Sequence, residues 1–195
     1  MSENFDGKRF FNPWFSREGK RNSLAGFLKV RMTYPWANWP KNLPVFTAKP
    51  VARVDSDIKV TFVGHSTFLI QTGKLNILTD PVWAMRASPF QWIGPARVHK
   101  PGIELRDLPQ IDVVLVSHNH YDHMDLATLK ILESHSPKVI TGLGNEKLLK
   151  SEGLRDVTEL TWWQNVMHAG FTITYVPAQH FSGRGLSDRN TTLWG

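Results

Sequence analysis

The chain has 195 residues, a net charge of +6, 41% hydrophobic residues and 21% charged residues. That length fits one domain with a real core, and the composition excludes both a disordered polyampholyte and a membrane bundle. Cysteine is absent, which excludes a disulfide scaffold, a zinc ribbon and a thiol nucleophile, so any metal must be held by His, Asp or Glu. No run of about 18 apolar residues occurs, so no membrane-spanning helix is predicted. The opening Met1-Ser2-Glu3-Asn4-Phe5-Asp6-Gly7-Lys8 is polar, which predicts a cytoplasmic chain without a signal peptide.

Residues 1–55 hold ten Lys or Arg against four Asp or Glu, whereas residues 56–195 hold thirteen of each. All the excess positive charge therefore lies in the first quarter. The same quarter carries Phe5, Phe10, Phe11, Trp14, Phe15, Phe27, Tyr34, Trp36, Trp39 and Phe46. A basic, aromatic segment can rest on an anionic membrane surface or on nucleic acid; alternatively, its aromatics wrap an ordered arm onto the domain. Pro13, Pro35, Pro40, Pro44 and Pro50 forbid a long helix, and no amphipathic period runs through the segment. An irregular arm over 1–55 is predicted, followed by a domain over 56–195.

From residue 56 short β-type runs begin. Ile58–Val63, Ser66–Gln71 and Leu75–Asp80 read as an antiparallel meander, with Gly73 in the second turn and Pro81 ending the third strand. Residues 82–110 read as a long ordered surface loop. Ile111–Ser117 is nearly continuous in apolar residues, hence a buried strand. Asp125 can cap a helix with Leu126, Leu129, Ile131 and Leu132 on its apolar face. Lys138–Thr141 is the next strand, then a short helix from Asn145 to Glu152 closed by Gly153. Val157–Trp163 and Phe171–Val176 complete the predicted strands. Strands and helices alternating behind a meander imply an α/β sandwich.

The segment Ser117-His118-Asn119-His120-Tyr121-Asp122-His123-Met124-Asp125 carries the chemistry. His118, His120, Asp122 and His123 are four potential ligands placed where the chain leaves a buried strand, so close neighbours can turn toward one point. Imidazoles and a carboxylate without thiolate suit zinc and also admit iron, manganese or nickel. The bland alternative is a solvated His-rich loop. His99, His135 and His168 fit no pattern.

His-x-His-x-Asp-His after a buried strand resembles the signature of the metallo-β-lactamase-fold superfamily. The wider match is similar to the branch of N-acylphosphatidylethanolamine-hydrolysing phospholipase D. It runs through Phe5-Asp6-Gly7-Lys8-Arg9-Phe10-Phe11-Asn12-Pro13, Gly64-His65-Ser66-Thr67, Thr79-Asp80-Pro81 and Leu108-Pro109-x-Ile111-Asp112. Pro177-Ala178-Gln179-His180-Phe181-Ser182-x-Arg184 and Asp188-Arg189-Asn190-x-x-Leu193-Trp194 complete it. The fold implied is an αββα sandwich, of which this chain holds the N-terminal half and part of the second.

The resemblance implies that His118, His120 and His180 hold one metal and that Asp122 and His123 hold another. It makes Asp80 a hydrogen-bond acceptor that buttresses the metal loop, or else a simple turn residue. His65 is, with Asp122, a candidate catalytic residue lining the substrate pocket; alternatively it is a satisfied histidine at a strand end. Arg184 is a candidate phosphate contact or a surface cation. Two divalent metals sharing a water lower its pKa to about 7 and present a hydroxide to an electrophilic phosphorus or carbonyl. The implied reaction is hydrolysis of a phosphodiester in a lipid, with the arm meeting the lipid at the inner membrane surface.

The superfamily's bridging Asp and last His have no counterpart here, since Asp188 is the only Asp after His180. The chain is therefore expected to be the N-terminal part of a longer enzyme and poorly active by itself. A lactonase is an alternative within the same chemistry, and a truncated, non-catalytic chain is another. A nuclease is disfavoured, because the charge from residue 56 onward is balanced.

Overall fold

The computed structural model describes residues 4–12, 14, 24–34 and 43–195. Its centre is a six-stranded sheet in the order β1-β2-β3-β4-β5-β6. β1 (Ile58–Gly64), β2 (Thr67–Thr72) and β3 (Leu75–Thr79) form the antiparallel meander. β4 (Val113–Val116), β5 (Lys138–Gly142) and β6 (Val157–Leu160) continue it in parallel, and the β4–β5 and β5–β6 pairs are joined by helical crossovers. α2 (Leu126–Leu132) and α3 (Glu146–Ser151) make those connections, and a separate hairpin joins β7 (Asn165–His168) to β8 (Phe171–Thr174).

Side-chain alternation along the strands divides the core in two. Leu78, Val114, Val116 and Val139 face Leu129, Leu132 and Leu149 of the helices. Ile77, Val113, Ile140 and Leu160 face Trp162, Tyr175, Leu193 and Trp194 on the opposite side. The layers are thus helices, the main sheet, and a smaller second β layer over part of its other face.

Residues 4–12 pack against the C-terminal segment. Phe10 is buried in the second core, its N–H donates to Asn190 O at 2.8 Å, and Asn12 donates to His180 O at 2.9 Å. Residues 48–54 are stitched to the sheet: Gln71 donates to Val51 O, Asn76 donates to Ala52 O, and Arg53 forms a bidentate ion pair with Asp112. The expected irregular arm also contains a helix, α1 (Leu24–Thr33). The prolines exclude a long helix, yet the stretch between Pro13 and Pro35 leaves room for ten residues rich in Leu, Ala, Lys and Met, which are good helix formers. Leu28, Val30 and Met32 are exposed, in keeping with the missing apolar stripe. Phe15, Trp36 and Trp39 lie outside the described residues.

A second difference falls at 157–168. The strand expected to reach Trp163 ends at Leu160, and a turn follows with Trp163 at φ 70°. β7, which the sequence did not predict, then pairs with β8 across Ala169 (φ 47°) and Gly170 (φ 84°), the left-handed pair that a tight hairpin requires. Among the described residues no helix is long and apolar enough to cross a membrane.

Candidate metal centre

Three chain reversals at one end of the sheet build the site. β1 ends in Gly64 (φ 156°) and His65 (φ 52°), β3 ends in Asp80 (φ 36°), and β4 runs out into the loop 117–125. Non-glycine residues in the left-handed region are uncommon and concentrate where the fold holds them for function. Asp125 closes the loop by accepting from Thr128 N–H at 3.4 Å and Thr128 Oγ1 at 2.6 Å, capping α2. It also takes the Ala84 N–H at 2.9 Å and so ties the 82–110 loop to the same point.

The buried Asp80 accepts from Ser117 N–H at 2.7 Å and from Ser117 Oγ at 2.8 Å, and lies 2.8 Å from His123 Nδ1. Ser117 gives its only hydroxyl proton to Asp80, so its oxygen receives from His118 Nδ1 at 2.9 Å. A carboxylate can only accept, so His123 Nδ1 carries its proton toward Asp80. With Nδ1 engaged in this way, each ring turns its Nε2 away from the Asp80–Ser117 pair as the atom available to a metal. An outer shell of this kind orients metal-binding imidazoles.

His118 Nε2 lies 2.8 Å from His120 Nδ1, and His180 Nε2 lies 3.2 Å from that same atom. His118 is pushed down to about 2 by burial and by the neighbouring histidines. His120 and His180 are lowered first by burial and then by each other or by His123. Neutral nitrogens facing one another this closely need a shared cation or proton between them, which is the arrangement a metal site requires. Phe181 packs on His120 and His180 at ring distances of 4.6 and 5.0 Å, and Arg189 stacks on Phe181.

Beside this group, His65 Nε2 lies 3.0 Å from Asp122 Oδ2, and His123 Nε2 lies 3.6 Å from it. His118, His120 and His180 form one set of donors lying within 4.8 Å of one another; His65, Asp122 and His123 form a second. The structure therefore brings His65 into the second donor set, a place the sequence left open. Imidazoles and one carboxylate in these sets fit zinc, and they also fit iron, manganese or nickel.

Arg184 sits under the loop. Its Nη1 donates to Asn119 O at 2.9 Å and Met124 O at 2.8 Å, and its guanidinium lies 4.0 Å from the Tyr121 ring centre. It braces the loop, its Nη1 being committed to two backbone carbonyls. Sequence reasoning missed Ser117 and Tyr175. Tyr175 donates to Ser117 O at 2.6 Å and is held neutral by burial and by Asp80. Ser117 could have been found from its place directly before His118; Tyr175 reaches the loop only through the tertiary fold.

A family model described as "Beta-lactamase superfamily domain" matches residues 75–195. The chain belongs to this superfamily, in its metallo-β-lactamase form. It is 42% identical over 156 residues to an uncharacterised protein of Mycobacterium tuberculosis, covering 77% of this chain and 42% of that protein. It is also 36% identical over 210 residues to N-acyl-phosphatidylethanolamine-hydrolyzing phospholipase D 1 of Caenorhabditis elegans, covering 97% of this chain and 59% of that enzyme. Among solved structures it is similar to Igni18, a metallo hydrolase from Ignicoccus hospitalis, with 23% identity and a TM-score of 0.49 over 66% of this chain and 52% of that one. The chain thus spans about half the length of the curated relatives it matches.

Proposed function

We propose that the chain carries the metal centre of a hydrolase that cleaves a phosphodiester in an N-acyl phospholipid. The observation that carries this reading is the adjacency of two three-donor sets, with the His118 and His123 ring centres 4.1 Å apart. The nematode relative, named for hydrolysing such a lipid, supports the substrate class. When bound, a pair of divalent metals supplies an activated water nucleophile and neutralises charge on the phosphoryl oxygens.

In this reading His118, His120 and His180 hold one metal, and His65, Asp122 and His123 hold the second; zinc is the proposed metal. Asp80 and Ser117 fix the ring orientations, and Arg184 and Tyr175 keep the loop from moving. His65 and Asp122 also line the adjoining cavity, so they face the reacting phosphorus. The exposed Met32, Phe46 and Trp92 supply apolar contacts for a cytoplasmic membrane surface.

The test is turnover of N-acylphosphatidylethanolamine in mixed micelles and of bis(p-nitrophenyl) phosphate by the zinc- or manganese-loaded chain. Slow turnover of both, abolished by His120→Ala, is the expected result. A loaded chain that opens a lactone and leaves both phosphodiesters intact would overturn it.

A further inference from the structure

The loop after β3 folds back beside the second donor set and encloses a cavity of about 490 Å³. That volume is typical of small-molecule sites. Its lining is mostly apolar, with Met85 and Val98 among the contributors, and its polar groups are His65, Asp122, Arg97 and His99. Arg97 is the only lysine or arginine in that lining among the described residues.

Two arms of the Arg97 guanidinium are committed: Nη2 donates to Val82 O at 2.7 Å and Nε to Ala84 O at 3.2 Å. These bonds fix the plane of the fork. The third arm, Nη1, makes no hydrogen bond among the described residues, and no carboxylate forms an ion pair with this guanidinium there. It lies where a Cβ on Gly64 would come within 3.2 Å, and a Cβ there would also meet His99 at 3.3 Å. Glycine there lets the cation lie close to the backbone directly before His65 without displacing either side chain. Burial lowers the Arg97 pKa from its ordinary value, a sign of charge that is only partly compensated. A half-buried guanidinium with a fixed plane and an unused donor is suited to an anionic oxygen.

We infer that Arg97 receives a phosphoryl oxygen of an amphiphilic substrate, whose alkyl arm lies along the apolar lining. The inference rests on the phosphodiester reading for its substrate class and adds the residue that orients the phosphate. Arg97 supplies the cavity's own positive charge against Asp122, so an alkyl phosphate is held with its oxygens toward the donor sets.

The experiment is a titration of hexylphosphonate into the zinc-loaded chain with 15N-labelled arginine, followed at the Arg97 Nε–H resonance. That resonance is assigned by its loss in Arg97→Lys. It should shift with saturable binding; Arg97→Met should weaken the Kd about tenfold, and Arg97→Lys should recover part of the loss. Hexyltrimethylammonium should leave the resonance in place. Saturable hexylphosphonate binding with an unmoved Arg97 signal would overturn the inference, and so would no binding at all. Because the assignment needs only the conservative Arg97→Lys and the wild-type signal decides, an Arg97→Met chain that fails to fold does not blunt the test. Turnover of phosphodiesters with a silent Arg97 sinks this inference alone; a responsive Arg97 in a chain that opens a lactone and leaves phosphodiesters intact sinks the phosphodiester reading alone.

Discussion

Asp80 and His123 are 43 residues apart and meet at 2.8 Å, a contact that joins the end of β3 to the loop after β4. The same carboxylate holds Ser117 by two hydrogen bonds, so one buried acid positions both donor sets. Asp80→Ala should lower zinc affinity about 10- to 100-fold, the usual cost of losing an orienting partner of a metal ligand. Asp80→Asn keeps one acceptor oxygen and tolerates the left-handed φ of 36°, so it should lose less. Competition against a chromophoric zinc chelator measures both, and equal affinities in all three proteins would show that Asp80 does not act through His123.

The chelator-treated protein should lose stability as pH falls below about 6.5. His118 is buried, with its folded pKa about 2 against an ordinary 6.5. Between those values the unfolded chain binds a proton that the folded one does not, so stability rises with pH across that window. For this one group the slope approaches about 1.4 kcal/mol per pH unit well inside the window. Urea unfolding at pH 7.5 and 5.5 should show the drop, and His118→Asn should flatten it. A pH-independent midpoint in the unsubstituted protein would contradict the neutral, buried imidazole.

The meander, the buried β4 and the helix capped by Asp125 were legible because each has a local signature: period two, a continuous apolar run, and an acceptor before an apolar face. The metal loop was legible for the same reason, since its four potential ligands lie within six residues. β7 was not, because His168-Ala169-Gly170 lacks the Asn-Gly or Asp-Gly signal of a tight turn. α1 was hidden by the prolines on either side of it. The places of His65 and Arg184 depend on contacts between distant segments, with Asp122 in one case and Asn119 and Met124 in the other. No spacing in the sequence encodes those meetings.

Gly142 ends β5 against Tyr175 and Leu193 of the second layer. A Cβ there would press on the Tyr175 hydroxyl and stand 2.5 Å from Leu193 O. Backbone on that side cannot move without releasing Trp194 and the Tyr175 bond to Ser117 O. Gly142→Ala should therefore destabilise the chain by about 3 kcal/mol, at the upper end for overpacking, and weaken zinc binding with it. Denaturant midpoints and chelator competition on the same samples check both effects. A variant as stable as the parent would mean that the second layer yields at no cost.

Arg184 separates bracing from substrate contact. Arg184→Leu leaves the carbonyls of the buried Asn119 and Met124 without their donor, which should cost about 1–3 kcal/mol and lower zinc affinity. Lysine cannot reproduce the planar fork that reaches both carbonyls while covering Tyr121, so Arg184→Lys should recover little. If Arg184 instead bound the phosphate, the loss would fall on KM for phosphodiesters, with zinc affinity unchanged and partial rescue by lysine. Zinc competition and KM measured on the two variants give opposite patterns for the two roles, and the two hydrogen bonds beneath the loop predict the first.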